Sequence, residues 1–158
     1  HNKTLAVINV DAMGNTYGRT KDIIIVGKGN SNIDQIVESA AKQDKKYVEA
    51  DAEPEKGYFY RSDHFEFAKM GVPALYVDGG IDVRGKNKEF GKLKKNEYTE
   101  NHYHSLSDEI LDEWTYDGMV EDNKILFRVG YAISQHDEWP TWNEGTEFKA
   151  VRETMLTK

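Results

Sequence analysis

Ionisable side chains are concentrated in residues 58–78, which read YFYRSDHFEFAKMGVPALYVD. Arg61, Asp63 and His64 fall within four residues, directly before a short apolar run and a Gly-Val-Pro turn. Ser62 or Asp63 could cap a helix there, since a side-chain oxygen at a helix start accepts hydrogen bonds from free backbone N–H groups. A capped helix between two strands explains this pattern as well as a site does. The density of charged groups where a helix should simply begin favours a site.

Two further side chains could bind a metal ion. Asp11 directly follows the apolar run LAVINV, and the carboxyl end of a strand is where open α/β sheets place ligand-binding residues. His104 ends a long polar segment, and imidazole nitrogen and carboxylate oxygen are both ligands of zinc. Asp11 also fits as a turn residue, and His104 as a solvated surface group. Neither CxxC nor HExxH occurs, so spacing alone identifies no metal site.

The elements that would position these residues alternate between strand and helix. Branched apolar runs predict strands, and apolar residues at helical spacing predict helices. The predicted strands are residues 5–10, 22–26, 47–52 and 73–78, and the predicted helices are 31–43, 65–70, 115–135 and 147–155. Residues 79–103 are predicted to form a long polar loop of the kind that lines a site or is mobile. The alternation indicates an α/β layered sheet.

Composition limits the functional classes. The 158 residues fit one domain, 1–158, and the net charge of -7 argues against a nucleic-acid partner. The basic stretch 86–95 contains Glu89 and is typical of a solvated loop. No apolar run approaches the roughly 20 residues of a membrane span. The absence of cysteine excludes thiolate metal sites. The chain enters a buried strand almost at once and without an initiator Met, which predicts a fragment of a longer protein.

Three segments in this order, INVDAMG, RSDHFEFAKMGVPALYV and YHSLSDE, resemble the second half of the zinc aminopeptidases of metallopeptidase family twenty-eight. Relatives in that superfamily include bacterial leucyl aminopeptidases, glutaminyl cyclases and the transferrin receptor ectodomain. The resemblance covers about residues 4–108 and, loosely, the helix that follows. It implies a layered mixed sheet flanked by helices, of the zinc-peptidase (phosphorylase/hydrolase-like) type. Only the C-terminal portion of the family's catalytic domain would be present in residues 1–158.

The resemblance also implies roles for individual residues. Asp11 and His104 match two zinc ligands, and Tyr103 matches a tyrosine whose hydroxyl stabilises the tetrahedral intermediate as an oxyanion donor. Arg61 matches a position that contacts substrate or intermediate in some members. We expect these four residues to meet at one edge of the sheet. Asp63 and His64 match family residues that orient the metal ligands.

The first half of the family domain should supply the missing parts of the site. These are a further His, a bridging Asp and a Glu-Glu pair that includes the general base, so two of five ligands are expected here. The parent would bind two zinc ions and release the N-terminal residue of a peptide substrate with a metal-activated water. The fragment alone should be inactive, should bind zinc weakly or not at all, and could form a homodimer through uncovered apolar surface. Members are often exported, which implies a periplasmic or secreted parent.

Two other functions fit the resemblance. A glutaminyl-cyclase-like acyltransferase shares the fold, but there the residue before the zinc-binding His is typically Trp, and here it is Tyr103. That difference favours hydrolysis. In a non-enzymatic binding domain of the transferrin-receptor kind, the metal-binding residues are lost. Asp11 and His104 are both present here, which argues against this function.

Overall fold

The computed structural model describes residues 2–11 and 15–157. Two short 3-10 turns, Pro54–Lys56 and Tyr58–Tyr60, lead into the helix that carries the RSDH motif. The strands are β1 (Val7–Val10), β2 (Asp22–Val26), β3 (Tyr47–Ala50) and β4 (Ala74–Gly79), and the helices are α1 (Ile33–Gln43), α2 (His64–Lys69), α3 (Lys88–Asn101), α4 (Asp117–Gln135) and α5 (Lys149–Leu156).

The four strands form one mixed sheet in the order β1-β4-β2-β3. β1 is parallel to β4 and β2 is parallel to β3, whereas β2 and β4 are antiparallel. Val10 is in register with Val77, and Ile23 with Gly79. The carboxyl ends of β1 and β4 therefore share one edge of the sheet with the amino ends of β2 and β3. The predicted α/β mixed sheet flanked by helices is confirmed.

The two faces of the sheet are covered differently. Alternation along the strands turns Ile23, Ile25, Leu75 and Val77 toward a core formed with α1 and α4. On the opposite face Val26 and Ala74 pack in a second cluster. The covering side chains of this second cluster come from loops and short helices, namely Phe59, Ala68, Trp142 and Phe148. The RSDH segment thus lies on the face opposite the long helices.

The prediction of a loop over residues 79–103 was wrong, because Lys88–Asn101 form α3. Asn87 lies in an extended conformation and its side chain caps the helix by accepting a hydrogen bond from the Phe90 amide at 2.9 Å. Most residues of α3 have a high intrinsic helix propensity. Because they are also polar, the segment had been predicted to be a loop. Lys95 pairs with Asp78 and thereby ties α3 to the carboxyl end of β4. The basic stretch 86–95 is accordingly mostly helical, and not a solvated loop.

Helix α2 begins without the side-chain cap that was considered for it. Asp63 occupies the N-cap position, but its side chain makes no capping hydrogen bond. The Ser62 hydroxyl is bonded to side chains of β1 and of the residue that follows it instead. Ser62 therefore has a tertiary role, which a local capping rule does not reveal.

The longest helix, α4, has 19 residues and two unlike faces. Its buried side chains include Ile125, Val129 and Ile133, which face the sheet and α1. Phe127 and Tyr131 lie on the exposed side. Within residues 2–11 and 15–157, no helix combines the length and the apolar character needed to cross a bilayer.

A buried ion pair joins the start of β3 to α4. The Lys46 side chain is fully buried, pairs with the Asp122 carboxylate, and donates to the Thr20 hydroxyl at 2.9 Å. Asp122 also accepts a hydrogen bond from the Asn15 amide at 2.6 Å. Two opposite charges in a water-free position satisfy each other, so losing one leaves the other uncompensated.

Lys46→Met should lower the free energy of unfolding by about 3–5 kcal/mol, because Asp122 would stay buried without its cation. Lys42→Met, at an exposed position in the last turn of α1, is the matched control and should change it by less than about 0.5 kcal/mol. Urea denaturation of the three proteins measures both values. Equal stability of the two variants would contradict the role given to the buried pair.

Candidate functional site

Asp11 directly follows β1 and is held by a short chain of hydrogen bonds. The Ser62 hydroxyl donates to Asp11 Oδ2 at 2.5 Å, and Asn9 Nδ2 donates to the same hydroxyl at 2.7 Å. Asn9 and Asp11 are two residues apart, so their side chains leave the strand on the same face. The second carboxylate oxygen, Oδ1, has no hydrogen-bond partner in the described part of the chain. Asp11 is thus oriented through its Oδ2 atom.

Sequence reasoning missed the contributions of Asn9 and Ser62. The two-residue spacing of Asn9 and Asp11 was the signal for the first, because it places both on one face of a strand. Ser62 lies 51 residues from Asp11 and showed only a local capping pattern. Contact between them depends on where α2 packs, which a local motif does not specify.

His64 is the first residue of α2, and its ring is completely buried. Its ring centroid lies 4.7 Å from that of Phe59 and 5.1 Å from that of Tyr76. This burial lowers the pKa of His64 to about 4, although the charges of Asp11 and Asp63 and the nearby Phe59 backbone act in the opposite direction. Among the residues that the structure describes, neither ring nitrogen finds a hydrogen-bond partner. His64 is therefore a neutral, packed imidazole at neutral pH.

Tyr76 lies half-buried on β4, beside the His64 ring. Its pKa is raised first by burial and then by the negative charges of Asp78 and Asp11, with a further contribution from Tyr103. Tyr76 was not singled out in the sequence, where it is one residue of an apolar strand.

Tyr103 and His104 lie in the segment after α3. Tyr103 is 50% exposed, and its ring stacks on the His104 ring with centroids 4.0 Å apart. His104 is exposed and has a φ of 56°, a left-handed conformation that is uncommon for a residue other than glycine. Its backbone N–H donates to Asp108 at 3.3 Å. No hydrogen bond in the described part of the chain joins His104 to Asp11.

Arg61 and Asp63 flank Ser62 and are both exposed. The Arg61 guanidinium carbon lies 6.0 Å from the centroid of the Tyr58 ring. Asp63 acts on the pKa of the neighbouring His64 by its charge alone. Within the described residues neither side chain forms a hydrogen bond or ion pair with Asp11, so their roles toward substrate and ligands stay predictions.

The sequence profile of peptidase family M28 matches residues 1–127. The chain belongs to peptidase family M28. The match runs from before β1 into α4, so it includes Asp11, the RSDH segment and the Tyr103-His104 pair. None of the curated proteins or solved structures compared with the chain matches it significantly. As a member of M28 the protein is a peptidase, and the resemblance in the three motifs is confirmed at the level of the family.

The donor types at this M28 site fit zinc, but their number does not. An exposed carboxylate and an exposed imidazole are both suitable ligands. Over residues 2–11 and 15–157, however, no three His, Asp or Glu side chains are arranged to hold a metal ion. The described residues therefore form at most part of a metal site.

The buried His64 predicts a pH-dependent stability. With a pKa of about 4 in the folded chain and about 6.5 unfolded, only the unfolded chain takes up this proton between those values. The contribution of His64 is complete above pH 6.5 and is lost progressively as the pH falls to 4, by on the order of 3 kcal/mol. Denaturation at pH 7 and pH 4.5, compared with His64→Phe, measures it. An NMR titration of the ring with a midpoint near 6.5 would refute the assignment.

Proposed function

We propose that this chain is part of a zinc-dependent aminopeptidase, which hydrolyses the N-terminal residue from peptides. The observation that carries the proposal is the Asn9-Ser62-Asp11 chain of hydrogen bonds. It joins two separate family motifs and orients a carboxylate at the sheet edge through one oxygen, while the other oxygen has no partner among the described residues. Such an arrangement is typical of a metal-ligating carboxylate held by a hydrogen-bonded neighbour.

Asp11 and His104 are the proposed zinc ligands in this chain. The remaining ligands and the general base are proposed to come from sequence of the same protein outside these 158 residues, since the described residues do not complete a site. Zinc, when bound, would lower the pKa of a water molecule and supply the nucleophile. Ser62 would hold the Asp11 side chain in one rotamer, so that its zinc-binding oxygen would not have to move when the metal binds.

Tyr103 is the proposed donor to the oxyanion of the tetrahedral intermediate. Half of its side chain is exposed, and its hydroxyl has no hydrogen-bond partner among the described residues. A donor that is free in the resting enzyme can bond to charge that develops only in the transition state. Arg61 is proposed to contact the substrate from the exposed start of α2.

The presence of Tyr103 rather than Trp before His104 also favours peptide hydrolysis over a cyclase-like acyl transfer. Activity on an aminoacyl reporter would separate the aminopeptidase from both a cyclase and a non-enzymatic binding domain. A homodimer remains a proposal, and the exposed Phe127 and Tyr131 on α4 are suitable apolar contacts for it.

In the complete peptidase, His104→Ala should abolish both zinc binding and aminopeptidase activity. Tyr103→Phe should retain zinc but lower turnover by on the order of 100-fold to 1000-fold, the usual cost of one lost oxyanion donor. Metal analysis together with kinetics on an aminoacyl reporter measures both effects.

His136→Ala is the control for loss of a histidine, because His136 is exposed, follows α4 and lies outside the family match. It should leave metal content and rate unchanged. Wild-type turnover by Tyr103→Phe would contradict the oxyanion role of Tyr103. Full zinc content in His104→Ala would contradict the ligand role of His104.

The 158-residue chain by itself should bind zinc weakly and hydrolyse no peptide, because two protein ligands are fewer than the three that catalytic zinc sites normally use. Calorimetric titration with zinc and light scattering on the purified chain test this expectation. Tight stoichiometric zinc binding by a monomer that also cleaves peptides would contradict the proposed division of the site.

A further inference from the structure

A cavity of about 460 Å³ lies beside the amino-terminal ends of α3 and α4. Its charged lining consists of Arg19, Arg84, Lys86 and Asp117, and its apolar lining includes Val83 and Phe90. Three cationic groups against one carboxylate are unusual in a chain whose net charge is -7. A concave surface whose lining carries an excess of one sign of charge concentrates ligands of the opposite sign.

The cations of this cavity differ in how far their charge is already compensated. Within the described residues Lys86 has no carboxylate partner, and its Nζ lies 5.5 Å from the centroid of the Phe90 ring. Arg19 is 3.9 Å from Asp117, and both side chains are more than half exposed, so this ion pair is weak. Lys86 and Arg19 are therefore available to a ligand.

Arg84 contributes a fixed charge. Its guanidinium pairs with Glu121 at 3.0 Å and donates to the backbone carbonyls of Thr20 at 3.2 Å and Asp44 at 3.3 Å. These bonds immobilise the side chain at the wall of the cavity. Phe90 and Asp117 belong to the first turns of α3 and α4, whose positive dipole ends add to the same potential.

We propose that this cavity binds a small organic anion, a carboxylate or phosphate carried on an apolar or aromatic body. Lys86 and Arg19 bind the anionic group, while Val83 and the Phe90 ring contact the body. The cavity is distinct from the site around Asp11. It lies next to the Thr20–Val83 bridge before β2, and β4 separates β2 from β1 in the sheet. The proposal does not depend on the peptidase activity.

Calorimetric titration of the full 158-residue chain at low salt tests this site with benzoate, phenyl phosphate and the neutral benzamide. Both anions should bind saturably, more weakly as salt is added, and benzamide should not bind. Lys86→Gln and Arg19→Gln should each weaken binding by about fivefold, the effect of one exposed charge pair. Circular dichroism verifies that each variant is folded.

Lys3→Gln is the matched control, because Lys3 is exposed and precedes the amino end of β1, at the opposite edge of the sheet from the amino end of β2. It should bind both anions as the wild type does. Tighter binding of phenyl phosphate would identify a phosphate ester as the ligand class, and tighter binding of benzoate a carboxylate. The proposal is overturned if neither anion saturates, if benzamide binds equally well, or if Lys3→Gln weakens binding as much as Lys86→Gln.

Discussion

The candidate site depends on the parallel pairing of β1 with β4. The register of Val10 with Val77 places Asp11 at the same edge as the carboxyl end of β4, to which Lys95 of α3 is joined through Asp78. Ser62, on the way into α2, then reaches the Asp11 carboxylate across 51 residues of sequence. A slip of one residue in β1 would turn Asn9 and Asp11 to the opposite face and break both hydrogen bonds. The orientation of the Asp11 side chain is thus determined by a strand register.

Aromatic side chains pack around the start of α2 and the turn before it. His64 contacts Phe59 and Tyr76, and Phe59 in turn lies 6.0 Å from Phe148 between ring centroids. Trp142 packs against Phe148 and donates its indole N–H to the Gly71 carbonyl at 2.9 Å, just after α2 ends. Residues 128–158, which include Trp142 and Phe148, lie outside the family match. Residues 128–158 therefore complete the apolar cluster against which the RSDH segment packs. A neutral His64 is compatible with these apolar surroundings.

Much of the fold could be predicted from the sequence because its strands are short runs of branched apolar residues. The buried DIIIV of β2 and the VINV of β1, directly before Asp11, are examples. α3 was missed because its helix-forming residues are mostly polar, and polarity was interpreted as a loop. The roles of Ser62 and Tyr76 could not be predicted, since each depends on a contact between distant elements. The family motifs predict roles for Asp11, Tyr103 and His104 in one site, but the position of His104 relative to Asp11 depends on the backbone of the segment after α3.

The most direct measurement of the central claim is a crystal structure of the complete peptidase with zinc, using anomalous scattering to locate the metal. A zinc ion about 2.0–2.2 Å from Asp11 Oδ1 and from a ring nitrogen of His104, with Ser62 still bonded to Oδ2, is the expected result. Zinc bound elsewhere, with the Asp11 carboxylate in no contact with metal, would contradict the account.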